Sequence, residues 1–140
     1  MDFKSIYQTT VENDMGILGE TKGDLVLRTS SPLSEMPGTN PEQLVGLAYA
    51  TCLNATIEAE EARRDLVHNS QVRVQVDLGK DVEGYQFKLL VLVRIPEVNR
   101  TVAEEILEIA KRRCPMEKLL GQHPNVTVKL VDQFKSRREN

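Results

Sequence analysis

The chain has 140 residues, of which 40% are hydrophobic and 28% charged, and its formal net charge is −3. That length supports one hydrophobic core, so a single domain over residues 1–140 is expected, and the composition excludes intrinsic disorder. The negative balance offers no footprint for nucleic acid, and the longest strictly apolar run, Leu89 to Val93, is far too short to span a membrane. The first residues, "MDFKSIYQTTVEND", lack the apolar core of a signal peptide, so a cytoplasmic location is expected.

Residues 3–11, "FKSIYQTTV", mix β-branched and aromatic side chains, and "GDLVLRTS" at 23–30 does the same after a glycine. Together they predict an N-terminal antiparallel strand pair. "SSPLSEMPGTN" at 30–40 is a Ser-, Pro- and Gly-rich loop. A helix follows: Asn40 or Thr39 can cap it, Pro41 suits the first turn, Glu42 suits the positive end of the dipole, and the pattern runs to about Arg64. Between Glu42 and Glu58 this helix carries no charge, and its apolar residues occupy two faces, Leu44, Ala48, Cys52 and Ala55 on one, Gly46, Ala50, Leu53 and Ile57 on the other. A helix apolar on two faces needs cover from more than one side, and in so small a protein a second copy of the chain is an economical cover.

"VRVQVDL" at 72–78 alternates as a half-exposed strand, and "YQFKLLVLVRI" after the turn "GKDVEG" has the continuous apolar centre of a strand covered on both faces. The two predict a hairpin. Thr101 and Glu104 form a capping box for a second helix, "TVAEEILEIAKRR", whose Val102, Ile106, Ile109 and Ala110 should face the core. Cys114 and Pro115 stop it, since proline cannot continue the hydrogen-bond ladder. "MEKLLG" is a short further turn, and "VTVKLVD" at 126–132 is a last strand. The class this order describes is α+β.

Chemistry rests on few residues. Cys52 lies ten residues beyond Glu42 inside the apolar helix, where a cysteine can be a reactive thiol or simply a small hydrophobe. Cys114 precedes Pro115 and follows Lys111, Arg112 and Arg113, a position that can cap the next turn and favour a thiolate, or be an inert cap. His68 and His123 bring the soft ligands to four, but no two of Cys52, His68, Cys114 and His123 have the short spacing of a structural zinc site, so no metal is expected. No phosphate-cradling, dinucleotide or hydrolase motif is present, and no cofactor is expected.

"GTNPEQLVGLAYATCLNAT" together with "CPMEKLLG" closely resembles the OsmC/Ohr family of organic hydroperoxide resistance and osmotically inducible thiol peroxidases. In that family NPE(Q/E)L opens the central helix, a cysteine follows ten residues after the glutamate, and a second sits in a Cys-Pro pair after the next long helix. The resemblance implies antiparallel sheets wrapped around two long central helices in an intertwined homodimer. It implies Cys52 as the peroxidatic thiol, forming a sulfenic acid from an organic hydroperoxide, and Cys114 as the thiol that condenses with it into a disulfide. It also implies Glu42 as an orienting carboxylate, and a dithiol reductant carrying a dihydrolipoyl group or of thioredoxin-like type.

One family residue is missing. The resemblance calls for an arginine in the N-terminal strand pair to activate the thiol, which burial alone would make less acidic. The stretch "VENDMGILGETKGD" at 11–24 has no arginine; the nearest cations are Lys22 and Arg28, and Arg28 is the candidate substitute. Arg63 and Arg64 read as surface charges at the solvated helix end. Glu42 lies ten residues, about 15 Å of helix, from Cys52, so any link between them needs a long side chain or a second subunit. A competing reading is therefore a non-catalytic dimer that binds a small apolar ligand or senses redox state. A purely structural dimer with two incidental core cysteines is the third.

Overall fold

The computed structural model describes residues 3–13, 16 and 19–135. It separates into two compact units, residues 1–44 and 45–140.

The first unit holds a small sheet of order β1-β2-β3, comprising β1 (Val11–Asn13), β2 (Gly19–Gly23) and β3 (Arg28–Thr29). The three strands pair antiparallel, with Val11 opposite Gly23, Asn13 opposite Thr21, and Glu20 opposite Arg28. This corrects the predicted strand pair. Residues 3–10 form no strand, and of the stretch 23–30 only Gly23, at the end of β2, and Arg28–Thr29 are in strands, whereas residues 19–23 are a strand. Side-chain propensity favoured the earlier stretch, but a ladder forms where a short connection brings two segments face to face, and closing a short loop costs less entropy. Thr9 and Thr10 are held instead by Asp24, whose carboxylate accepts from Thr9 Oγ1 at 2.9 Å and the Thr10 amide at 3.1 Å, lowering its pKa.

Helix α1 spans Pro41–Arg63. Its first amides are capped as expected, the Gln43 N–H donating to Asn40 Oδ1 at 2.8 Å.

The second unit contains most of α1, then β4 (Gln71–Lys80), β5 (Tyr85–Arg94), α2 (Arg100–Arg113), α3 (Pro115–Leu120) and β6 (Val126–Leu130). β4 and β5 form the expected hairpin, in register from Gln71 opposite Arg94 to Lys80 opposite Tyr85. β6 lies on the other side of β5 and runs parallel to it, Leu89 opposite Val126 and Val93 opposite Leu130. Parallel neighbours need a long crossover, and α2 with α3 is that crossover, which makes this sheet mixed. α1 lies against the apolar face of β4. A Cβ added at Gly46 would stand 3.2 Å from Val76 Cγ2, so the glycine is what allows helix and strand to approach so closely.

Tyr49, Leu53 and Ile57, spaced one turn apart on α1, meet Val91 and Val93 of β5, Ile106 and Ala110 of α2, and Cys114, all completely buried. The opposite side of α1 is different: Leu47 is 67% exposed, and Ala48, Thr51 and Ala55 are exposed too. α2 starts at Arg100 rather than Thr101, because Asn99 is the cap, its Oδ1 accepting from the Val102 amide at 2.9 Å. Glu104, the expected partner in a capping box, instead accepts from Arg100 Nε at 3.0 Å. On α2, Ile106 and Ala110 are buried as expected, together with Ala103 and Leu107, while Val102 and Ile109 are only half-buried. Among the described residues no helix is long and apolar enough to cross a membrane.

Candidate active site

Two sulfurs far apart in sequence meet inside the second unit. Cys52, half-buried on α1, and Cys114, fully buried at the junction of α2 and α3, have their Sγ atoms 3.7 Å apart, with Cys114 as donor, and both are free thiols. The meeting follows from local rules. Pro115 ends α2 and opens α3, so Cys114 is both the C-cap of one helix and the N-cap of the next, its N–H donating to the Ala110 carbonyl at 2.8 Å. The β5–α2–α3–β6 crossover then lays that junction beside the middle of α1.

The surroundings of Cys114 act against its ionisation. Burial pushes the Cys114 pKa up, and the neighbouring Cys52 pushes it further. The amides of Glu117 and Met116, at the start of α3, pull the other way, although neither completes a capping hydrogen bond to the sulfur. The upward influences win, so at neutral pH Cys114 keeps its proton and can donate it toward Cys52.

Two residues not singled out in the sequence complete the cluster. Tyr49, fully buried one turn before Cys52, donates its hydroxyl to Glu117 Oε2 at 2.7 Å, and Glu117 is itself buried. Burial, then the Glu117 carboxylate, then Cys114, push the phenol far above its ordinary range, so Tyr49 remains a donor. A signal for both existed. Tyr49 is the only aromatic residue of α1, placed three before Cys52, and Glu117 stands three after a helix cap.

Of the other expected site residues, Glu42 and Arg28 belong to the first unit, Glu42 half-buried in the first turn of α1 and Arg28 exposed on β3. The Lys22 side chain, and residues 14, 15, 17 and 18 of the stretch expected to carry an activating cation, lie outside the described residues. His68 Nδ1 pairs with Glu61 Oε1 at 2.6 Å, and His123 Nδ1 accepts from the Asn125 amide at 3.0 Å. Among the described residues no three His, Cys, Asp or Glu side chains converge to hold a metal ion. Arg63 and Arg64 are not plain surface charges. They clamp the buried Glu60, Arg63 Nη2 at 2.5 Å and Arg64 Nε at 2.8 Å, and Arg64 reaches Glu105 of α2 at 3.2 Å.

A profile of the family described as OsmC-like protein matches residues 33–129, more than half of the chain, and the chain belongs to that family. It is 33% identical over 95 residues to the organic hydroperoxide resistance protein OhrB of Bacillus subtilis, covering 66% of this chain and 68% of OhrB. It is 25% identical over 115 residues to peroxiredoxin OsmC of Escherichia coli, covering 79% and 78% of the two chains. A crystal structure from Lactobacillus casei, of a chain with the working name of a redox protein, superposes with a TM-score of 0.88 at 39% identity, covering 94% of this chain and 95% of that one. The OsmC/Ohr resemblance and the α+β class expected from the sequence both hold.

Proposed function

We propose that this protein is a thiol peroxidase that reduces organic hydroperoxides through Cys52 and Cys114, its whole chain acting as one domain in a reducing, cytoplasmic setting. The observation that carries the reading is the 3.7 Å approach of two free thiols in a chain whose relatives are named for hydroperoxide resistance. Cys52, the more exposed of the pair, is the nucleophile. Its thiolate attacks the distal peroxide oxygen, an S–O bond forms as the O–O bond breaks, and the alkoxide leaves as an alcohol once protonated. The product is a sulfenic acid on Cys52. Cys114 then attacks that sulfur: an S–S bond forms, the S–O bond breaks, and the oxygen leaves as water with the Cys114 proton.

The two sulfurs must close from 3.7 Å to the bonded distance of about 2.05 Å, a small movement for a side chain at a helix junction. A dithiol, dihydrolipoyl or thioredoxin-like, then returns both thiols by exchange. The exposed apolar side of α1 at Leu47, Ala48 and Ala55 is the surface a second subunit would cover, which supports a homodimer. In this reading Glu42 orients the activating cation, and Arg28 is the candidate for that cation.

The lack of arginine in residues 11–24 favours a second reading, a non-catalytic dimer that binds a small apolar ligand or senses redox state. One experiment separates them. Reduced protein receives one equivalent of cumene hydroperoxide while peroxide, free thiol and intact mass are followed together. Rapid peroxide loss, with two hydrogens lost per chain and a Cys52–Cys114 crosslink in the digest, is the expected result. Surviving peroxide with both thiols free would reject the peroxidase.

A further inference from the structure

The geometry points to Tyr49 and Glu117 as positioning residues that hold the two thiols at reacting distance. The inference rests on the dithiol reading above and deepens it.

The same two pieces of chain are joined twice. α1 carries Tyr49 and, three residues later, Cys52; the α3 turn carries Cys114 and, three residues later, Glu117. Residues three apart on a helix share a face, so the Tyr49–Glu117 hydrogen bond at 2.7 Å and the sulfur contact at 3.7 Å are neighbouring rungs between the same elements. Fixing one rung restricts the other.

Glu117 is free to make this rung for a specific reason. A glutamate at the third position of a helix commonly turns back to the N–H of the capping residue. Here that N–H belongs to Cys114 and is already committed to the Ala110 carbonyl at 2.8 Å, because α2 ends where α3 begins. The carboxylate turns to Tyr49 instead. Gly121 leaves it the room: a Cβ there would collide with both Glu117 carboxylate oxygens and with its carbonyl, and the glycine's φ of −64° is one any residue can adopt. Burial and the Glu117 carboxylate raise the pKa of the phenol, which keeps the donor intact at physiological pH.

A clamp of this kind acts on the entropy of closure. Two thiols held together lose little freedom when they bond, so the pair has a high effective concentration and its disulfide is harder to reduce. The test is redox titration of the full chain in mixtures of oxidised and reduced dithiothreitol. Cys52 and Cys114 each give up one hydrogen and gain one S–S bond between them, while the cyclic disulfide of the reagent opens to its dithiol.

Tyr49→Phe should lower the equilibrium constant for disulfide formation by about three- to tenfold, the range of one hydrogen bond. Glu117→Gln, which keeps an acceptor oxygen, should stay within about twofold of wild type. The double variant Tyr49→Phe/Glu117→Met removes the link without stranding a buried carboxylate, and should fall as far as Tyr49→Phe even if that single variant folds poorly. A merely structural role would lower the melting temperature and leave the redox equilibrium where it was. A folded Tyr49→Phe or double variant with wild-type equilibrium overturns the inference, as does a Glu117→Gln that falls as far as Tyr49→Phe. A wild-type chain that forms no Cys52–Cys114 disulfide overturns it together with the peroxidase. One that forms the disulfide but leaves cumene hydroperoxide intact rejects the peroxidase alone.

Discussion

Two buried polar clusters lie along α1, and they solve the same problem differently. Near the middle, the Glu117 carboxylate is held by a neutral phenol, Tyr49, beside the sulfurs of Cys52 and Cys114. At the C-terminal end, Glu60 is held by the guanidinium groups of Arg63 and Arg64, and Arg64 ties on to Glu105 of α2, while the adjacent Glu61 accepts from Ser70 Oγ at 2.5 Å. Burying a carboxylate is costly unless it is hydrogen-bonded or paired, and both clusters meet that demand. The ionic one fixes charge and anchors the helix. The neutral one holds its carboxylate with a hydrogen bond alone, so that no fixed cation is needed to satisfy Glu117 beside the sulfurs. The ionic cluster and the thiol cluster thus occupy different turns of one helix.

The sharpest way to break the comparison is at the sulfurs. Cys52→Ser should reduce hydroperoxide consumption to background, and Cys114→Ser should take up one oxygen and stall, which intact mass would show as a sulfenic acid without a crosslink. Neither should shift the melting temperature as much as a core truncation. Ile57→Ala, between the two clusters and fully buried, should cost about 2–5 kcal/mol in denaturant unfolding, since it removes apolar contacts and leaves a cavity. A cost below about 1 kcal/mol would mean the site collapses around the gap.

The ionic cluster should also be visible as a function of pH. Arg63 and Arg64 hold the Glu60 carboxyl at about 2, below its ordinary value of 4.5. A carboxyl with a depressed pKa adds stability that is fully present above pH 4.5 and fades as the pH falls toward 2. Melting temperature should therefore drop more steeply over that window in wild type than in Glu60→Gln; parallel curves would show that the pairing adds no stability. The smallest effect expected is at the cap of α2. Asn99→Ala, which frees the Val102 amide, should cost about 1 kcal/mol by the same unfolding measurement.

Much of this molecule was legible in the sequence because it rests on short-range rules. The Asn40-Pro41 start of α1, the alternation of β4, the apolar run of β5 and the stop at Cys114-Pro115 each follow from spacing and backbone chemistry within a few residues. The misplacements were local too. Asn99 outcompeted Thr101 as a cap, and the first strand formed later than propensity suggested, because several segments satisfied the same rule and only the fold chose among them.

The sequence by itself determined the family to which the chain belongs and put forward Cys52 and Cys114 as the candidate thiols, since both lie in contiguous motifs. Tertiary structure alone decided that β6 runs parallel to β5, that the crossover brings Cys114 within 3.7 Å of Cys52, and that Glu117 turns to Tyr49 rather than to its own helix cap. The physical reason is range: a motif specifies what a residue can do, but which distant group it meets depends on how a whole crossover packs.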